Sequence, residues 1–149
     1  MLPDILNKKV AVIGLGLDGI SLVKYLYQKG VKNITICDQK DVQELGEKYN
    51  QISQVPVQWR LGVNYLKDLS DFDIVFRSPG VRRNFPEILE AEKTGTIISS
   101  QTKLFFQVCP CPIIGVTGTK GKGTTTTLIS EMLKGNPNKQ IFVGSKAGV

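Results

Sequence analysis

The sequence predicts an α/β protein on a parallel sheet: a Rossmann-like front domain, followed by the first βαβ unit of a second, nucleotide-binding domain. Three observations carry that prediction. Short β-branched runs alternate with segments of helical apolar spacing over most of the chain. Glycine-rich turns join strand to helix at residues 14–19 and again at 115–123. The length, 149 residues with 41% hydrophobic content, suffices for one compact domain and a remainder.

The elements follow in order. Residues 8–14, Lys-Lys-Val-Ala-Val-Ile-Gly, read as a buried parallel strand running into Gly14-Leu15-Gly16-Leu17-Asp18-Gly19. A helix carrying Ile20, Val23, Leu26 and Tyr27 on one face is ended by Gly30, and Asn33 to Asp38 forms the second strand. Next come a helix over roughly Asp41 to Asn50, a short strand near Val57 to Trp59 and a short helix near Tyr65 to Leu69. A strand from Asp73 to Phe76 leads into the turn Ser78-Pro79-Gly80-Val81, then a helix from Pro86 to Lys93 stopped by Gly95, and a strand from Thr96 to Ile98. The helix Gln101 to Val108 precedes Cys109-Pro110-Cys111-Pro112, read as a linker, so the domains are expected at 1–108 and 109–149. The second would hold a strand from Pro112 to Val116, a glycine-rich loop, a helix with Leu128, Ile129, Met132 and Leu133 on one side, and a strand from Gln140 to Val143.

Strand-helix alternation of this kind places ligands at the carboxyl ends of the strands, where Gly14, Asp38 and Ser78 fall. The first turn is a literal GxGxxG, and Asp38 follows Gly19 by 19 residues, the fingerprint of a dinucleotide site with pyrophosphate on the helix N-terminus and the acid on a ribose hydroxyl. Packing alone also uses such turns. In the second domain Gly118, Gly121 and Gly123 allow the chain to bring N–H groups close to an anion, while Lys122 supplies positive charge at the helix start. ATP is therefore the first ligand expected there. The loop departs from the regular P-loop, because Val116 stands at the position of its first glycine and Gly123 follows the lysine where Ser or Thr is usual.

The word Thr117-Gly118-Thr119-Lys120-Gly121-Lys122-Gly123-Thr124 resembles the ATP loop of the Mur ligase superfamily, in the form familiar from its folylpolyglutamate branch. Residues 13–19, Cys37-Asp38-Gln39-Lys40 and Ser78-Pro79-Gly80-Val81 are similar, in the same order, to the front domain of Mur ligases of the MurD type. The resemblance implies ATP and Mg2+ as cofactors, held by Gly118, Thr119, Lys120, Gly121, Lys122, Gly123, Thr124 and Thr125, with Lys122 catalytic and Thr124 the metal ligand. It implies a UDP-sugar, not NAD, on Leu17, Asp18, Asp38, Gln39, Lys40, Ser78, Pro79 and Gly80. Asp18 replaces a common threonine, Lys40 replaces an arginine, and Gly144 to Gly148 lack the family's asparagine, so that last contact is not carried over.

The implied reaction is ATP-dependent addition of D-glutamate to UDP-MurNAc-L-alanine through an acyl phosphate, for peptidoglycan synthesis. The chain has no histidine, and the remaining ATP domain and the amino-acid-selecting domain of such a ligase have no counterpart in it, so it is expected to be an N-terminal portion that binds without ligating. A nicotinamide-binding Rossmann module, or another ligase of the superfamily, is the alternative. The spacing of Cys37, Cys109 and Cys111 matches no metal or disulfide pattern, and no apolar run is long enough to cross a membrane. The expectation is a cytoplasmic monomer without nucleic-acid or membrane partners. A charge of +6 suits anionic ligands, and the lysines are spread rather than clustered.

Overall fold

The structure, a computed structural model, describes residues 5–135 and 140–144. The chain divides into two compact units, one up to Cys109 and one from Pro110 onward.

The first unit is a five-stranded sheet in the order β3-β2-β1-β4-β5, every neighbouring pair parallel. Its strands are β1 (Lys9–Ile13), β2 (Asn33–Asp38), β3 (Gln58–Leu61), β4 (Ile74–Arg77) and β5 (Ile97–Ser99). Strand order reverses between β1 and β4, which leaves a crevice at their carboxyl ends. The helices are α1 (Leu17–Gln28), α2 (Val42–Leu45), α3 (Glu47–Asn50), α4 (Pro86–Lys93) and α5 (Gln101–Val108).

Side chains alternating along the strands feed two cores, as a sheet covered on both faces requires. Val10 and Val12 of β1 pack with Ile34, Ile36, Ile74 and Phe76 against Leu22, Val23 and Leu26 of α1 and Leu104 of α5. On the other face Ala11, Ile13, Cys37 and Val75 meet Ile88 and Ala91 of α4, with Leu66, Leu69 and Phe72 from the chain between β3 and β4. Each fully buried Leu, Ile, Val or Phe contributes about 1.5–3 kcal/mol by leaving water. Helix α1 stops in a Schellman motif: Gly30 at φ +88° donates to Tyr27 O at 2.9 Å, and Val31 donates to Leu26 O at 3.0 Å.

Several expected elements differ in detail. The helix over 41–50 is broken by Gly46 at φ +51° into α2, held by a capping box between Asp41 and Glu44, and α3. Strand β3 runs to Leu61, because the ladder with β2 continues to the pair Asp38 and Leu61. The helix expected over 65–69 is absent; turns lead to left-handed Asp68 and a single 3-10 turn over Leu69–Asp71.

In the second unit the described residues hold one helix, α6 (Lys122–Lys134), and neither 112–116 nor 140–143 is a strand. A strand exists only through its ladder partner, and none is present for either segment among the described residues. Of the turn at 144–148, Ser145 to Gly148 lie outside the described residues.

Candidate functional site

At the carboxyl edge of the sheet, backbone hydrogen bonds draw three predicted positions together. Gly14 donates to Cys37 O at 2.8 Å, and Ser78 donates from its amide to Ile13 O and from its hydroxyl to Gly14 O, both at 3.1 Å. The exits of β1, β2 and β4 therefore form one continuous rim.

The glycines of the first turn have separate jobs. Gly14 sits at φ +91°, and a Cβ there would come within 2.9 Å of Ser78 Oγ. At Gly19 a Cβ would lie 2.1 Å from Gly14 O, so α1 can approach β1 only without a side chain. A Cβ at Gly16 would meet nothing within 4 Å. Gly14 and Gly19 are thus demanded by packing, while the space at Gly16 is open to a ligand.

Helix α1 starts at Gly16 with no side-chain cap, as do α3 and α4, whereas α2 is capped by Asp41 and α5 by Ser100. Its first-turn N–H groups remain available to an anion. Leu17, 79% exposed, and exposed Asp18 stand at that opening, and Asp18 has no ion pair among the described residues.

Asp38 is buried, and its carboxylate is engaged twice: Oδ2 accepts from Leu15 N–H at 2.7 Å, Oδ1 from Lys40 N–H at 3.0 Å. It splices the β1 and β2 exit loops, while its own carbonyl accepts from Gly62 N–H at 2.9 Å. The side chains of Gln39 and Lys40 stand exposed beside it. Below, burial pushes the Cys37 thiol up to about 11, against a smaller opposing pull from Arg60, so it is neutral at pH 7 and packs as an apolar group. Tyr65 flanks the same edge, its phenol raised by burial and then by the negative charges of Asp38 and Glu87.

Ser78 to Val81 form a turn closed by Val81 N–H donating to Ser78 O at 3.1 Å, with Pro79 and Gly80 exposed at its tip. The guanidinium of Arg77, a residue that sequence reasoning passed over, donates to the carbonyls of both Ser78, at 3.3 Å, and Val81. No motif marks such a residue; only the folded turn brings the two acceptors to it. A small crevice of about 20 Å³ opens between α1 and α5, lined by Asp18, Ser78, Pro79, Gln101 and Thr102.

In the second unit Gly118 has φ +155° and Gly121, at φ +76°, is the N-cap of α6 with no side-chain cap. Lys122 is the first residue of the helix, exposed, with Nζ donating to Gly118 O at 2.6 Å, which folds the loop over itself. The hydroxyls of Thr126 and Thr127 are spent on Lys122 O and Gly123 O. Those of Thr124 and Thr125 make no hydrogen bond among the described residues and are exposed, as a hard, oxygen-seeking cation such as Mg2+ requires. Thr119, Lys120 and Gly123 are also exposed. Among the described residues no group of three or more His, Cys, Asp or Glu could hold a metal, and no helix is long and apolar enough to cross a membrane.

Residues 8–100 match the family described as Mur ligase MurD-like, N-terminal domain. The chain belongs to this MurD-like family. Similar relatives include the UDP-N-acetylmuramoylalanine--D-glutamate ligase of Acetivibrio thermocellus, 43% identical over 143 residues, which are 96% of this chain and 30% of that protein. The ligase of the same name from Ruminiclostridium cellulolyticum is 42% identical over 130 residues, 87% of this chain and 28% of its own length. The MurD-like chain thus spans under a third of these curated relatives. Among solved structures, a pseudomurein peptide ligase type C from Methanothermus fervidus superposes with a TM-score of 0.52 at 25% identity, covering 86% of this chain and 26% of that one.

Proposed function

We propose that this chain supplies the UDP-sugar-binding front domain and the opening of the ATP-binding domain of an ATP-dependent ligase. That ligase adds D-glutamate to UDP-MurNAc-L-alanine in cytoplasmic peptidoglycan synthesis, as a monomer. The observation that carries the reading is that α1 and α6, the two longest described helices, each begin at a glycine of a glycine-rich turn with no side-chain cap. Helices α3 and α4 are uncapped too, but α3 is a single four-residue turn and α4 opens on Pro86, which has no N–H to offer. Uncapped N–H groups and the positive end of the helix dipole suit phosphate oxygens.

In the front domain the diphosphate would rest on the first turn of α1 over Gly16, with Leu17 and Asp18 beside it. The nucleoside would lie toward Asp38, Gln39 and Lys40, and the sugar toward Ser78, Pro79 and Gly80. Asp38 enters mainly as the splice that shapes the β1 exit, since both of its oxygens already accept backbone N–H groups. Each oxygen keeps a further acceptor site, so the carboxylate can still take a ribose hydroxyl.

In the second unit Gly118 to Thr125 would wrap the phosphates of ATP. Lys122 would exchange Gly118 O for phosphate oxygens and stabilise charge on the phosphoryl group passing to the substrate carboxylate. The amine of D-glutamate then displaces phosphate from the acyl phosphate. Thr124 would hold magnesium, which supplies charge neutralisation across phosphate oxygens when bound. This portion alone is proposed to bind and not to ligate.

Thermal unfolding of the chain with UDP-MurNAc-L-alanine, and separately with NAD, tests the reading. Ligand at about a hundredfold its Kd should add about 2.7 kcal/mol of stability with the UDP-sugar and none with NAD. Stabilisation by NAD alone would reverse the assignment.

A further inference from the structure

We propose that Arg77 is a positioning residue, which fixes the Ser78-Pro79-Gly80-Val81 turn in the shape that receives the sugar end of the ligand. The inference rests on the UDP-sugar reading above.

The turn stands at the point where strand order reverses, and it touches the first glycine turn through Ser78 Oγ and Gly14 O. One backbone bond, Val81 N–H to Ser78 O, closes it. A single such bond across a Pro-Gly tip leaves an exposed turn free to open. The guanidinium adds two charge-assisted bonds, one to each carbonyl that frames the turn. Two consequences follow. The partial negative charges of Ser78 O and Val81 O are offset by a cation, which keeps them from opposing an anionic ligand. And Gly80 N–H, which has no partner among the described residues, is held at the tip as a donor. Both bonds leave one nitrogen, Nη1, whose two N–H groups divide between the carbonyls, so a lysine ammonium can replace the contact in part.

The position of the turn predicts which part of the ligand depends on it. Ribose and base belong near the β2 exit, and the remainder extends from the α1 N-terminus toward β4. Titration calorimetry of wild type, R77M and R77K with UDP-MurNAc-L-alanine and with UMP separates the ends. R77M should weaken the UDP-sugar about tenfold, the loss expected for one to two hydrogen bonds to a charged donor, and leave UMP within about twofold. R77K should recover part of the loss, with cooperative melting kept in both variants. The brace is refuted if R77M binds the UDP-sugar as wild type does, or if both ligands weaken in parallel, the mark of a purely structural role. Failure of the wild type to bind the UDP-sugar would remove the reading beneath the brace and the brace with it.

Discussion

Gly16 and Gly19 lie three residues apart in one turn, yet a methyl group would have opposite fates at the two. At Gly19 it would sit 2.1 Å from the carbonyl oxygen of Gly14, so backbone must move. G19A should therefore destabilise the front unit by about 1–3 kcal/mol, read as a lower denaturant midpoint. Gly16 has φ −83° and ψ −172°, a conformation that alanine adopts freely, and its Cβ would point into open space. G16A should keep stability within about 1 kcal/mol while cutting UDP-sugar affinity at least tenfold, since the methyl group fills the approach to the helix amides. Equal binding by G16A and wild type would show that the diphosphate does not lie there. The fingerprint was legible in the sequence, but not this division of labour. Spacing says that glycines are present; only the distance from Gly19 to Gly14 O says which of them the fold itself requires.

Among the elements, β1 and β4 are fastened at their amino ends by one carboxylate. Asp73 Oδ2 accepts from Lys9 N–H at 2.8 Å and Oδ1 from Lys8 Nζ at 3.4 Å, while its backbone N–H donates to Lys9 O and its carbonyl accepts from Ile97 N–H. The hydrogen bond from Lys9 N–H, helped by Lys8, holds this carboxyl below the usual range. The folded state therefore favours the ionised form, and its contribution is present above the unfolded pKa of about 3.9 and lost as pH falls through the lower folded value. D73N should be less stable than wild type at pH 7, and the gap in urea midpoint should close as pH drops from about 5 toward 2. A gap that stays constant with pH would assign the effect to neutral hydrogen bonding instead. At this scale, apolar runs and caps located β1, β2, α1, α4 and α5 closely, because local pattern and tertiary demand agree there. They misplaced the chain between α2 and β4, where Gly46 and Asp68 take positive φ that no apolar period reveals.

For the whole molecule, both apolar clusters draw every member from residues up to Leu104, so the first unit owns a complete core. Residues 1–109 should accordingly fold alone with a cooperative melt and bind UDP-MurNAc-L-alanine like the full chain. A non-cooperative melt of that piece, followed by circular dichroism, would show that its core needs the second unit. The amino-acid sequence by itself determined the α/β class, the two glycine turns and the membership they point to, because these depend on neighbours a few positions away: alternating apolar residues, a helix start, a turn that needs glycine. Only tertiary structure decided the strand order, the crevice between β1 and β4, the engagement of Asp38 with two loops and the grip of Arg77 on its turn. Those features join residues through the ladder and the two covered faces, and the free energy that chooses among such pairings comes from burying the sheet, which no local window contains.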